Sequence, residues 1–244
     1  MPALSVENLS FAWLEREKEL FGPISFDFPE GKVTALLGAN GTGKSTLLNV
    51  LAQRIPSTRG IVRFLDKPAV AKDFNYMLQH PDRLLFRHLS LLQNIRLTKK
   101  LGAIDETDEK EVSVFFPDQQ PLDRYPWQCS VGQRQRAVLL RSFLDIESFP
   151  ATLLDEPFAS ISRDSKIQIY KLVRARVEST GRALVFVTHD LSEACILADV
   201  AMVLSDGICR QFDVSAIHHE NDFLSATNLR DELQRAMLAR ATVE

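Results

Sequence analysis

Residues 38–46 read Gly-Ala-Asn-Gly-Thr-Gly-Lys-Ser-Thr. The spacing G-x-x-x-x-G-K-[ST], which is complete from Gly38 to Ser45, is typical of a loop that binds phosphate groups. The apolar run Val33–Leu37 before the loop predicts a buried strand, and apolar residues at helical spacing after it predict a helix. The motif requires this order of strand, loop and helix, so we favour a phosphate site over a glycine-rich turn without a ligand.

The chemistry of the loop predicts how it would hold a nucleoside triphosphate. Backbone N–H groups beside glycine can close around phosphate oxygens, and the N-terminus of the following helix adds the positive end of its dipole. We expect Lys44 to reach the β- and γ-phosphates and the hydroxyl of Ser45 to bind Mg²⁺. The loop residues that we expect to contact the nucleotide are Gly38, Asn40, Gly41, Gly43, Lys44, Ser45 and Thr46.

Composition narrows the class of protein. The 244 residues allow one large domain with a subdomain, and 45% hydrophobic and 25% charged residues are ordinary for a soluble globular protein. A net charge of −3 without a basic block predicts no nucleic-acid partner. No apolar run approaches the roughly 20 residues that span a bilayer, and the N-terminus does not resemble a secretion signal. The three cysteines are scattered and predict neither a zinc site nor disulfides. We expect a cytoplasmic chain that would need another subunit to act in a membrane.

The order of apolar patterns predicts an α/β protein. Alternation in the first thirty residues predicts strands around a charged hairpin tip at 15–19, whereas 80–145 is patterned as helix without a convincing strand. We expect the acidic stretch 105–111 to be solvated and the apolar stripe of the tail at 222–244 to pack as a helix. Strands alternating with helices predict a mainly parallel sheet covered on both faces. The further predicted elements are strands at 61–64, 151–154, 183–188 and 200–204 and a helix at 165–179.

Polar side chains follow two of these predicted strands. Asp155 and Glu156 end the first, and His189 ends the second. Because the carboxyl ends of parallel strands lie beside the phosphate loop, Asp155 is placed to hold Mg²⁺. Side chains alternate along a strand, so Glu156 points in a different direction from Asp155, which suits a base for the attacking water. The imidazole of His189 can donate to a γ-phosphate. The alternatives are an acidic turn, which the loop upstream disfavours, and a structural histidine, which the position of His189 at the same sheet edge disfavours.

These motifs, in this order, resemble the nucleotide-binding subunits of ATP-binding-cassette (ABC) transporters over nearly the whole chain. The segment 125–136, Tyr-Pro-Trp-Gln-Cys-Ser-Val-Gly-Gln-Arg-Gln-Arg, is similar to the family's signature, which is usually tyrosine-proline and then L-S-G-G-Q-x-Q-R. The resemblance implies the P-loop NTPase fold of ABC ATPases: a mainly parallel sheet with helices on both faces, an antiparallel β subdomain and a helical subdomain. It implies one domain over 1–244, with a core at 1–79 and 146–244 and a helical signature subdomain at 80–145.

The resemblance also assigns roles to single residues. In the family two cassettes dimerise head to tail, which implies that Ser130, Gly132 and Gln133, at the start of a helix expected at 133–144, contact ATP held by a second subunit. Trp13 falls where an aromatic ring stacks on adenine, with a core tryptophan as the alternative. Gln79 matches the glutamine that contacts Mg²⁺ and the attacking water. The catalytic set implied by the resemblance is Lys44, Gln79, Glu156 and His189, and the metal set is Ser45, Gln79 and Asp155.

The same resemblance implies partners and a place in the cell. The segment 82–90 matches the neighbourhood that receives a coupling helix from the membrane subunit. The motifs at 155–159 and 187–199 are most similar to bacterial importers of the nitrate, sulfonate, taurine and pyrimidine-precursor group. We therefore expect an ATPase at the cytoplasmic face of the inner membrane, with transmembrane permease subunits, a second identical or different ATPase subunit and, indirectly, a solute-binding protein.

Two departures from the family pattern leave alternatives open. Val131 stands where the signature has glycine, and we expect its β-branched side chain to disfavour positive φ and to bring bulk near the γ-phosphate. Ser162 stands where a carboxylate helps to link the two sites. The chain would then keep its own hydrolytic residues while offering a weakened half-site to its partner. The remaining alternatives are a soluble ABC ATPase without a transport role, which the missing basic patch disfavours, and an ATP-sensing subunit that has lost turnover.

Overall fold

The computed structural model describes residues 4–13, 19–97, 106–118, 120–215 and 223–238. These residues contain ten strands and seven α-helices. The strands are β1 (Leu4–Phe11), β2 (Phe21–Phe28), β3 (Val33–Leu37), β4 (Arg59–Phe64), β5 (Lys67–Pro68), β6 (Phe74–Met77), β7 (Ala151–Asp155), β8 (Ala183–Val187), β9 (Val200–Ser205) and β10 (Ile208–Asp213). The helices are α1 (Lys44–Leu51), α2 (Leu91–Ile95), α3 (Glu106–Phe115), α4 (Val131–Leu144), α5 (Arg163–Thr180), α6 (Leu191–Leu197) and α7 (Phe223–Leu238).

A six-stranded sheet in the described part of the chain carries the site. Its order is β10-β9-β3-β8-β7-β6, and all neighbours are parallel except β10, which pairs antiparallel with β9. The register pairs Leu36 with Val187 and Asp155 with Val187, so β3, β8 and β7 end at the same edge. Parallel strands place their carboxyl ends together. The phosphate loop after β3 therefore lies beside the ends of β7 and β8, as the sequence predicted.

Both faces of this sheet are covered. Alternate residues such as Leu36, Leu153 and Val185 join a core with α1 and with the second sheet, which is antiparallel in the order β2-β1-β4-β5. Residues of opposite orientation, such as Leu37 and Phe186, join a core with α4, α5 and α6. The predicted mainly parallel sheet with an antiparallel neighbour is confirmed.

The described residues between β6 and β7 form helices joined by turns and loops, and they contain no strand. One expectation for this segment was wrong, because the acidic stretch is not solvated along its whole length. Glu109 and Lys110 are exposed, but Glu111 is buried and lies 3.5 Å from the guanidinium of Arg176 on α5. A carboxylate enters the interior only with such a partner. Glu111 thus helps to fix α3 against α5.

Several element boundaries differ from the predictions for physical reasons. Helix α4 begins at Val131, two residues before the predicted start, because Ser130 caps it. The strands β6 and β10 were not predicted, since β6 has four residues and β10 exposes most of its side chains at the sheet edge. In the tail, Leu233 is buried while Leu238 is exposed.

The predicted hairpin tip lies almost entirely outside the described residues. Among the helices that are described, none combines the length and the apolarity needed to cross a bilayer.

Candidate nucleotide-binding and hydrolysis site

The phosphate loop is closed around its own lysine. Lys44 begins α1, and its ammonium donates to the carbonyl oxygens of Gly38, at 2.9 Å, and Ala39, at 2.8 Å. Gly38 has a φ of 155°, and an added Cβ would lie 2.4 Å from the carbonyl oxygen of Leu204, so only glycine fits. Burial lowers the pKa of Lys44, while the negative charges of Glu156 and Asp155 oppose this change. The loop thus holds a cation at its centre, where a phosphate group would bind.

Ser45 and Asp155, two of the three predicted metal ligands, are in contact. The hydroxyl of Ser45 donates to Oδ1 of Asp155 at 3.1 Å, although the two residues are 110 positions apart. Asp155 is only 4% exposed, and burial raises its pKa, an effect that the hydrogen bond from Ser45 opposes. A desolvated carboxylate beside a hydroxyl supplies the oxygen ligands that Mg²⁺ prefers. These residues fit Mg²⁺, whose charge would offset the cost of burying the carboxylate.

The side chain of Glu156 lies between those of Gln79 and His189, two of the other three predicted catalytic residues. Its Oε2 accepts a hydrogen bond from the amide of Gln79 at 3.2 Å, and its Oε1 lies 3.4 Å from Nδ1 of His189. The backbone reaches this position through a left-handed conformation, with a φ of 46°, and the N–H donates to the carbonyl of Val187 at 3.2 Å. Non-glycine residues in this region are strained and are concentrated at functional sites.

A cavity of about 390 Å³ lies over the phosphate loop. Gln79, Glu156 and Trp13 contribute to its lining together with the loop. Trp13 is 47% exposed and packs edge-on against Phe11, so it is not the core tryptophan considered as an alternative. The lining residues are Trp13, Leu20, Asn40, Gly41, Gly43, Lys44, Ser45, Thr46, Gln79 and Glu156. The cavity therefore joins an exposed aromatic ring, a phosphate loop and an acid, which suits a nucleotide.

The signature residues lie elsewhere. Ser130, Gly132 and Gln133 are not among the described residues that line this cavity. The hydroxyl of Ser130 accepts a hydrogen bond from the backbone N–H of Gln133 at 3.2 Å. In turn, Oε1 of Gln133 accepts one from the backbone N–H of Ser130 at 2.8 Å. This reciprocal capping box begins α4 and satisfies the N–H groups of Ser130 and Gln133.

Gly132 is required by a close backbone contact rather than by a positive φ. A Cβ on Gly132 would lie 2.4 Å from the carbonyl oxygen of Ser160, so the start of α4 touches the segment that follows Glu156. The expected conflict between Val131 and a positive φ does not arise, because Val131 occupies the first turn of α4 and has no positive φ. Its side chain is 51% exposed, so only the argument from bulk remains.

Sequence reasoning missed one residue that connects these parts. Gln135 lies on α4 and is buried, and its amide donates to the carbonyl oxygens of Pro157, at 3.0 Å, and Glu156, at 3.3 Å. It therefore ties the signature helix to the strained backbone at Glu156. A polar residue on the apolar face of α4 was the feature that could have identified it.

Comparison with known families agrees with this arrangement. Residues 21–159, more than half of the chain, match the family described as ABC transporter. The chain belongs to the ABC transporter family. This ABC transporter chain is 34% identical over 201 residues to the sulfate/thiosulfate import ATP-binding protein CysA 2 of Rhizobium meliloti (strain 1021). That alignment covers 77% of the chain but 54% of the relative, so the chain spans about half of the relative's length.

Solved structures show the same fold. The ABC transporter chain matches cbiO1 from Clostridium perfringens, described as part of the ABC transporter complex cbiONQ, with a TM-score of 0.73, 22% identity and coverage of 97% of this chain and 98% of that one. It also matches a dimeric post-hydrolysis state of an ATP-binding cassette bound to ADP and Pi, with a TM-score of 0.71, 21% identity and coverage of 86% and 98%. At these identities the matches establish the ABC ATPase fold.

Proposed function

We propose that this chain binds and hydrolyses ATP as the nucleotide-binding subunit of a membrane transporter. The observation that carries the proposal is the position of Glu156, whose carboxylate faces the cavity over the phosphate loop between Gln79 and His189. Phosphoryl transfer to water needs positioned groups and compensation of the phosphate charge rather than covalent chemistry from the protein. Lys44 supplies a positive charge, and Glu156 is placed to orient or deprotonate the attacking water. Mg²⁺, held by Ser45 and Asp155 with Gln79, would neutralise charge on the phosphates.

The complete site needs a second cassette. The signature residues Ser130, Gly132 and Gln133 lie away from the cavity of their own chain, so we propose that they cover ATP bound to the phosphate loop of a partner. The N-terminus of α4 suits this role because its N–H groups and its dipole attract phosphate. The dimer would be formed by two copies of this chain or by this chain and a related one.

Transport would use separate membrane subunits. We propose that the chain lies on the cytoplasmic face of the inner membrane and drives import through permease subunits that receive solute from a binding protein. The relative from Rhizobium meliloti is named as an import protein, and cbiO1 is described as part of a transporter complex, which supports this direction and these partners. The motif resemblance favours the nitrate, sulfonate, taurine and pyrimidine-precursor group within the importers, whereas the relative is named for sulfate and thiosulfate. We propose that the segment 82–90, in which Phe86 is exposed, contacts the permease.

We further propose that the single domain is divided as the resemblance implied. Residues 1–79 and 146–244 would form the nucleotide-binding core, and 80–145 would form the signature subdomain. The topology supports this division, because all described strands lie in the first two ranges.

Steady-state ATPase measurements test the proposal. Turnover per chain should rise with protein concentration, because two chains complete each site, and Glu156→Gln should remove turnover while ATP binding remains. Size-exclusion chromatography of Glu156→Gln should show a dimer with ATP and a monomer without it. If the wild-type chain has no turnover at any concentration but binds ATP, the ATP-sensing alternative is favoured, and mixing with a second cassette would then be required for activity.

A further inference from the structure

A buried network of charge lies behind His189, and no role assigned above uses it. Glu193 on α6 is 5% exposed. Its Oε1 lies 2.6 Å from the ammonium of Lys166 on α5, and its Oε2 accepts a hydrogen bond from the hydroxyl of Thr188 at 2.6 Å. Both carboxylate oxygens are thus held by short bonds, as a buried carboxylate requires.

The hydroxyl of Thr188 makes a second hydrogen bond, to the residue that follows His189. It accepts the backbone N–H of Asp190 at 3.1 Å, so one hydroxyl connects the residues on both sides of His189. The chain on either side is fixed as well, since the backbone N–H of Thr188 donates to Leu36 on β3 and Asp190 caps α6 through Ser192. His189 itself has a side chain that is 58% exposed, and its ring reaches Glu156 at 3.4 Å. The position of the ring therefore depends on the backbone that Thr188 braces.

The network also reaches the segment that touches the signature helix. Lys166 lies in the first turn of α5, which begins directly after Ser162. The backbone N–H of Lys166 donates to the carbonyl oxygen of Ser162 at 3.0 Å. A cavity of about 170 Å³ separates this turn from the catalytic pair. Its lining residues are Glu156, Ala159, Lys166, Thr188, His189, Asp190 and Glu193. A shift of the first turn of α5 would therefore reach the histidine loop through Glu193.

We propose that Lys166, Glu193 and Thr188 form a positioning relay that holds His189 against Glu156 and connects it to the segment 159–162. The three residues act through His189, and none of them lines the cavity over the phosphate loop. The inference rests on the proposed function, because the benefit of the relay is a histidine placed for hydrolysis. It predicts a loss of kcat without a loss of ATP affinity, since the phosphate loop is not part of the network.

Two substitutions at Thr188 separate the relay from simple packing. Thr188→Val keeps the shape and removes the hydroxyl, whereas Thr188→Ser keeps the hydroxyl and removes a methyl group. We expect Thr188→Val to lower kcat by about tenfold or more through misplacement of His189, with KM for ATP close to wild type. Its thermal stability should also fall, because Oε2 of Glu193 and the N–H of Asp190 lose their partner. Thr188→Ser should retain thermal stability and keep kcat within about twofold. Thr188→Val with wild-type kcat, or Thr188→Ser as impaired as Thr188→Val, would overturn the relay.

Two substitutions at Lys166, one that keeps its positive charge and one that removes it, test the bond between Lys166 and Glu193. Lys166→Arg should keep the bond to Glu193 and nearly wild-type turnover, whereas Lys166→Met should lower kcat. Lys166→Met leaves the buried carboxylate of Glu193 without its cation and so destabilises the fold. The Thr188 pair keeps this ion pair and therefore decides the question.

A measurement that does not depend on turnover distinguishes a failure of the relay from a failure of the proposed ATPase function. The ring proton resonances of His189, assigned by their absence in His189→Gln, report its position in the ATP-bound chain. We expect Thr188→Val to move them and Thr188→Ser to leave them in place. A wild-type chain that binds ATP without hydrolysing it contradicts the proposed function alone, while unmoved resonances in Thr188→Val contradict the relay alone.

Discussion

The Oε1 atom of Glu156 lies 3.4 Å from Nδ1 of His189, although 33 positions separate the two residues. They meet because β7 and β8 are parallel neighbours that end at one edge of the sheet. Gln79 contacts the other carboxylate oxygen at 3.2 Å, so the acid is held from two sides. A carboxylate held in this way keeps one orientation toward a water molecule, which is the requirement for a general base.

The first prediction concerns the charge of this carboxylate. Glu156→Gln preserves size and hydrogen bonding but cannot accept a proton, so turnover should fall by at least about 100-fold while the Kd for ATP stays within about twofold. ATP hydrolysis and equilibrium ATP binding measure the two effects. Glu178→Gln on the exposed face of α5 is the matched control and should behave as wild type. Normal turnover in Glu156→Gln would refute the assignment of Glu156.

The second prediction concerns the backbone of the same residue. With a φ of 46°, Glu156 occupies a region that costs a non-glycine residue about 1–2 kcal/mol, and glycine avoids this cost. Glu156→Gly should therefore be more stable than Glu156→Gln by about 1 kcal/mol, although both lack turnover. Urea unfolding of the two variants without nucleotide gives the difference, and a glycine variant that is less stable than the glutamine variant would show that the strain is not significant.

The third prediction follows from the buried carboxylate of Asp155. Burial raises its pKa above the ordinary value of 3.8, so the folded chain holds this proton more tightly than the unfolded chain does. Stability then falls as the pH rises from 3.8 through the folded-state pKa, and above it the ionised group carries the full cost. Asp155→Asn should raise the stability of the chain without metal or nucleotide at pH 7 by on the order of 1 kcal/mol.

Two further measurements check this explanation. The advantage of Asp155→Asn over wild type should disappear below pH 3.8, where the carboxyl is protonated in both states. Adding Mg²⁺ and ATP should stabilise the wild-type chain more than the variant, because the variant lacks the charged ligand. EDTA should reverse this second effect. An advantage that persists at low pH would point to a cause other than ionisation.

The motifs of this site could be found in the sequence because each is local. The phosphate loop is one continuous stretch, and Asp155 and His189 each follow an apolar strand whose carboxyl end a parallel sheet brings to the loop. The contacts of Gln135 and Glu193 could not be found in this way, since each joins distant elements and depends on how the helices pack. The glycine at 132 was expected for a ligand, yet its contact with Ser160 also requires it.

The last prediction addresses the two departures from the family signature. Ser162 is the N-cap residue of α5, a position that aspartate fills equally well, so Ser162→Asp should add a carboxylate near the partner without weakening the helix. Val131 is exposed at the start of α4, where its bulk would meet ATP in the partner cassette. Together, Val131→Gly and Ser162→Asp should raise the ATP turnover of the transporter complex several-fold.

Val131→Ala separates the two reasons for this gain. Because the backbone at Val131 is already helical, removing bulk should be sufficient, and Val131→Ala should give most of the gain of Val131→Gly without the cost of about 1 kcal/mol that glycine adds inside a helix. Turnover would be measured over a range of protein concentrations, since the improved half-site acts only in the dimer. Unchanged or lower turnover in the double variant would show that Val131 and Ser162 do not weaken the partner's site.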